Sequence, residues 1–266
     1  PPTLCVKPYP GCAYVDTTLD ALLALDLPAP DDVARIVVDA SMLTCEMDKW
    51  SAEYAGSEPT PVTINFSVAW NVAIALLAGE VSPRQLQAGW LADNRDALTA
   101  LARRVELRHD WELTRAAAEQ FAGLLPPRVL GADAGLRRLR KGLTRVRGDH
   151  PSIISGWGDL RGIGAFLRGG RGGLATAGGR RFWSADALDR FAMTFPARVT
   201  VITRDGRELT GRADVPRGGA GHATEGPAAV SAAKLAEWGA GLWGSEGTKA
   251  VADAVATDDD RLFALL

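Results

Sequence analysis

The chain has 266 residues, 47% hydrophobic and 23% charged, with a net charge of −2 at pH 7. That fits one large or two small globular domains whose core needs no covalent staples. It excludes a polybasic nucleic-acid binder, and with no run of about 20 apolar residues it excludes a helical membrane span.

The opening, PPTLCVKPYP, lacks the charged and apolar regions of a signal peptide and begins without Met, as though more chain belongs before it. Three cysteines (Cys5, Cys12 and Cys45) are too few for a disulfide framework and point to a reducing, cytoplasmic setting. Thr17 or Thr18 can cap a helix with Leu19, Leu22, Leu23, Ala24 and Leu27 on one side, stopped by Pro28 and Pro30. The β-branched run in ARIVVDA (residues 34–40) predicts a strand. After a polar loop at 46–61, the spacing of Phe66, Ala69, Trp70, Ala73, Ile74 and Leu77 predicts a helix over 63–78 with that face buried. Gly79 ends it. Ser82-Pro83-Arg84-Gln85 reads as the start of another helix, and RRVELRHD as a strand.

Beyond residue 117 the character changes. Residues 128–190 hold twelve Arg and one Lys against five Asp, and ten glycines fall between Gly156 and Gly179. Such a basic run is either a solvated face or an anion-binding one. Order returns with a short helix at 184–195, capped by Ser184. Two alternating runs then flank Asp205-Gly206, a strong hairpin signal predicting strands at 198–203 and 208–214. An Ala-rich helical tail follows from Pro227, interrupted by glycines at 239–247.

Several motifs can be weighed against plainer readings. GWGDLRGIG has the wrong glycine spacing for a dinucleotide loop. His109, His150 and His222 are isolated, with no zinc spacing, and no GxSxG elbow is present. His150, inside the basic segment, is the histidine best placed for chemistry. In VKPYPGCAYVDTTLDALLAL, Pro8 and Pro10 give a stiff approach to the helix. A Lys7 held so suits a substrate carboxylate, and the Tyr9 hydroxyl can donate or act as an acid. A plain exposed lysine on a turn fits equally well.

The same phrase resembles the opening of the second half of the MmgE/PrpD family, the 2-methylcitrate dehydratase and cis-aconitate decarboxylase group. The likeness continues in order through ARIVVDAS, PTPVTINFSVAWNVAIALLAGEVSP, RRVELRHDWEL, PARVTVITRDGRELTGRADVPRGGAGH and AAKLAEWGA. It covers about residues 3–115 and 195–266. Asp16 stands where members usually have His, Ala13 where they often have Arg, and Trp70 where a helix carries Tyr. The family's helical first domain has no counterpart here.

The resemblance implies an α+β lid domain, a small antiparallel or mixed sheet with helices packed on it. Residues 1–117 and 191–266 would form its two parts, and 118–190 a Gly/Arg-rich insertion. It implies lyase chemistry, dehydration or decarboxylation next to a carboxylate, completed by a helical partner or a homo-oligomer, with no cofactor or metal. Lys7 would bind the carboxylate of a small-molecule acid; Tyr9 and Ser67 would line the cleft, with Trp70 beside the substrate and His150 and Tyr9 as proton-transfer groups. Two other readings are a stand-alone isomerase or cyclase, with Trp70, Trp157, Phe166, Phe182 and Trp183 around a larger apolar substrate, and a non-catalytic binding remnant.

Overall fold

A computed structural model describes residues 4–55, 60–122 and 191–256 of the chain. An extended lead-in turns at Gly11 (φ 128°) into helix α1 (Ala13–Leu23). Strand β1 (Val33–Ala40) follows, its Ile36, Val37 and Val38 all buried. Helices α2 (Met42–Ala55), α3 (Pro61–Ile64), α4 (Val68–Ala78), α5 (Ala88–Asp93) and α6 (Arg95–Ala102) lead to strand β2 (Val105–His109). Helix α7 (Trp111–Ala122) runs past residue 117. Beyond residue 190 come strands β3 (Ala197–Thr203) and β4 (Glu208–Ala213) and helix α8 (Pro227–Ala256), which bends at Gly244.

The four strands form one mixed sheet in the order β2-β1-β3-β4. β1 runs parallel to β2 and antiparallel to β3, and β3 and β4 are antiparallel. Ile36 faces Val201 and Val38 faces Val199 across the central pair, and all four are fully buried. On that face they join Leu19 and Leu22 of α1 and Val72 and Ile74 of α4 in one apolar core. The α+β class and the Asp205-Gly206 hairpin stand as the sequence predicts, with Gly206 at φ 86°. At Gly211 a Cβ would lie 2.2 Å from the Ala21 carbonyl oxygen, so a glycine lets α1 rest directly on β4.

Five local expectations need correction. Helix α1 starts at Ala13, ahead of Thr17 and Thr18, which are buried inside it. The Cys12 amide donates to the Asn65 carbonyl at 2.8 Å, and Thr17 spends its hydroxyl on the Phe195 carbonyl; tertiary partners set the start. The helix expected over 63–78 is two, because Ser67 caps a fresh start, accepting the Trp70 amide at 3.4 Å while Asp48 accepts the Val68 amide at 2.6 Å. The buried face is also turned from the expected one. Of the expected set Ala73 and Ile74 are fully buried, but Phe66 is exposed and Ala69, Trp70 and Leu77 are half-buried, and Val68, Val72 and Ala75 are fully buried in their place. A segment apolar on nearly every side gives periodicity little to fix its rotation.

At Ser82 the amide donates to Gln85 Oε1 at 2.8 Å, but the Ser82 hydroxyl accepts from the Arg84 amide at 3.3 Å rather than from that of Gln85. Three successive i→i+3 turns follow, and the α-helix begins only at Ala88. Residues 191–196 contain no helix, so the described end of the expected 184–195 helix is irregular. The rest of that helix and most of the 118–190 segment, including His150, Trp157, Phe166, Phe182 and Trp183, lie outside the described residues.

Candidate functional site

The stiff lead-in at residues 5–11 crosses the loop that leaves β4. The Val6 amide donates to the Gly218 carbonyl at 2.8 Å, and Met193 N–H to the Ala220 carbonyl at 2.9 Å, which ties in the approach to β3. Gly218 adopts φ 71°, and a Cβ there would fall 1.9 Å from the Val6 carbonyl oxygen. Only glycine allows the two loops to meet this closely. Between them and the start of α1 lies a small recess lined by Cys5, Lys7, Ala13, Asp16, Met193 and Arg217, with room for about one water molecule.

A brace holds one wall. Asp20 Oδ1 accepts from the Tyr9 hydroxyl at 2.8 Å and from Arg217 Nε at 2.8 Å, and Oδ2 accepts from the Arg217 amide at 2.8 Å. Arg217 also donates to the Tyr9 hydroxyl oxygen at 2.7 Å, and its guanidinium carbon lies 5.4 Å from the Tyr9 ring centroid. Its other terminal nitrogen is 3.7 Å from Glu225. Burial pushes the Tyr9 phenol above its usual range, and the neighbouring Asp20 charge adds to this against the opposing pull of Arg217. Burial works against the Arg217 charge, but its hydrogen bonds to Asp20 and Tyr9 outweigh it and hold the group protonated.

Asp16 is the unusual member. It is 1% exposed, and its Oδ1 has no hydrogen-bond partner. Burial pushes its carboxyl up to about 8, against the pull of Lys7 and with Asp20 adding to the rise. Lys7 by contrast is exposed, and its ammonium donates to the Gly11 carbonyl.

Lys7 lines the recess, whereas Tyr9 stands outside its lining, in the brace with Asp20 and Arg217. The Tyr9 hydroxyl proton is engaged by Asp20 rather than turned to solvent, and Tyr9 is buried. Ser67 has its hydroxyl on the α4 cap, and Trp70, half-buried, packs against the core. His150 lies outside the described residues. Sequence reasoning passed over Asp16 and Asp20 as site groups, although a signal was present. They stand four apart on a helix whose same side is otherwise apolar. Arg217 stands in the phrase PRGGAGH, where nothing local marks a partner for it.

A four-stranded mixed sheet with helices packed around it, and a recess where the lead-in crosses the loop after β4, define an α+β domain. The MmgE/PrpD C-terminal domain matches residues 9–150, more than half of the chain, and the protein belongs to that family as a C-terminal half. Lys7 lies just ahead of the matched range, and β3, β4 and Arg217 lie beyond it while completing the same sheet and recess. No curated protein matches the chain. Ala13 and Asp16 of α1 both line the recess. Among the described residues no group of His, Cys, Asp and Glu is arranged to hold a metal ion, and no helix is long and apolar enough to cross a membrane.

Proposed function

We propose that this chain is the lid half of an MmgE/PrpD-like lyase, a dehydratase or decarboxylase acting next to a carboxylate and completed by a helical partner domain. The observation that carries this reading is Lys7, an exposed ammonium on a Pro-stiffened loop at the mouth of a recess. A substrate carboxylate held there has its charge met by a point cation, and an enediolate developing at the neighbouring carbon is stabilised by the same group. The Tyr9–Asp20–Arg217 brace fixes the loop, so little ordering is needed when substrate arrives. Ser67 and Trp70 as substrate contacts, and His150 as a second proton-transfer group, are proposed on sequence grounds. Exposed Trp50, Val62 and Phe66 favour a covering partner.

The test is turnover of small hydroxy- and unsaturated carboxylic acids by the complex purified with its native partner. Lys7→Met keeps the stem and deletes the charge; turnover should fall by roughly 10²–10³ with the unfolding temperature unchanged. Unaltered turnover would remove Lys7 from the site, and an equally damaged fold would make it structural.

A further inference from the structure

Asp16 is a carboxyl group without the partners a buried carboxylate needs. An ionised Asp at 1% exposure with one oxygen unmet is costly, and the cost disappears when the group keeps its proton. The groups facing it are Lys7 from the lead-in, Asp20 on its own helix, Arg217 from the loop after β4 and Lys234 from α8. Arg217 is committed to Asp20, Tyr9 and Glu225. Lys7 is exposed and spends one of its three donors on the Gly11 carbonyl. The recess therefore holds one available ammonium and, on its inner wall, one carboxyl group.

We propose that Asp16, in its neutral acid form, donates its O–H to one oxygen of the carboxylate that Lys7 binds, that oxygen taking the place of the single water for which the recess has room, and so is a binding residue of the recess. The inference rests on reading the recess as a carboxylate site and adds a second point of recognition to it. An ammonium alone tolerates any anion; an adjacent O–H donor fixes the orientation of the bound group. Ionised Asp16 does the reverse, placing a negative charge against the incoming one and drawing Lys7 to itself. Burial, which pushes the Asp16 carboxyl up to about 8, keeps the donor form present at neutral pH.

Propionate labelled with ¹³C at its carboxyl carbon, titrated into the chain and followed by NMR, tests this without any partner protein. The probe stays ionised from about pH 6 to 9.5, so any change in affinity across that range belongs to the protein. Wild-type affinity should fall about tenfold per pH unit once Asp16 ionises. Asp16→Asn keeps a neutral donor and should bind with a flat profile; Asp16→Leu should lose at least tenfold at pH 6. Should Asp16→Leu not fold, the flat profile of the Asn variant against the sloping wild type carries the decision. A wild-type profile as flat as that of Asp16→Asn, with binding still lost in Lys7→Met, overturns the role of Asp16 and leaves the carboxylate site standing. Binding indifferent to Lys7→Met, or absent from the wild type throughout, overturns both.

Discussion

Asp20 has a side chain only 8% exposed and carries three hydrogen bonds, two from Arg217 and one from Tyr9. Arg217→Ala removes the guanidinium and leaves a buried carboxylate with one side-chain donor. Because Arg217 is itself 37% exposed, water recovers part of the loss, and about 1–3 kcal/mol is expected rather than the full cost of a buried pair. Tyr9→Phe deletes the hydroxyl alone and should cost about 1 kcal/mol. Urea unfolding of both variants checks this; equal losses would mean that the guanidinium contributes nothing beyond its bond to Tyr9. Asp16 adds a pH dependence of definite sign. Its folded-state value lies near 8, above the ordinary carboxylate value, so the folded protein holds a proton that the unfolded chain releases. Its contribution to folding is complete below about pH 4 and is lost as the pH rises through about 8. Asp16→Asn has no such titration, so its unfolding temperature should gain on the wild type between about pH 4 and 8 and hold that lead above. A constant difference would show that Asp16 is ionised in the fold.

Helix α4 shows what each kind of signal can carry. Ile74 is fully buried, so Ile74→Ala should cost about 2–5 kcal/mol, whereas half-buried Trp70→Ala should cost about 1–3. Calorimetry of Trp70→Ala, with Ile74→Ala as the fully buried reference, decides between the observed rotation and the one periodicity predicts, which would raise the Trp70 loss to about 3–5 kcal/mol. Strands and the hairpin were legible because β-branched runs and Asp-Gly act through local sterics. The rotation of α4 was not, because Val68, Val72 and Ala75 are as apolar as Trp70 and only packing against α1 and the sheet chooses among them. The start of α1 was hidden for a related reason, since Asn65 supplies the partner for the Cys12 amide. At the recess, the placing of Lys7 on a stiff, exposed lead-in was legible from Pro8 and Pro10. The Asp20–Arg217 contact was not, because its two residues are 197 positions apart and no local pattern couples them.

At the scale of the molecule, Trp50 (62% exposed) and Val62 (71% exposed) stand on α2 and α3, with exposed Phe66 just beyond. Large apolar side chains left in water on adjoining elements mark an association surface. The expected result is self-association or a tight partner burying more than about 1,000 Å². Trp50→Glu combined with Val62→Glu should abolish that association in sedimentation without lowering the unfolding temperature. A wild-type chain that stays monomeric at high concentration and recovers no partner would count against the lid reading. The order of the sheet has a further consequence, in time rather than in space. Its central pair joins β1, near the beginning of the sequence, to β3, and Thr17 meets Phe195 across 178 positions. During synthesis β1 must wait, with one side unpaired, until most of the chain has left the ribosome. Until then Ile36 and Val38 belong to an open strand edge, the kind of surface on which nascent chains stick to one another. Chaperone demand should therefore peak before residues 197–203 emerge and fall sharply once they have paired.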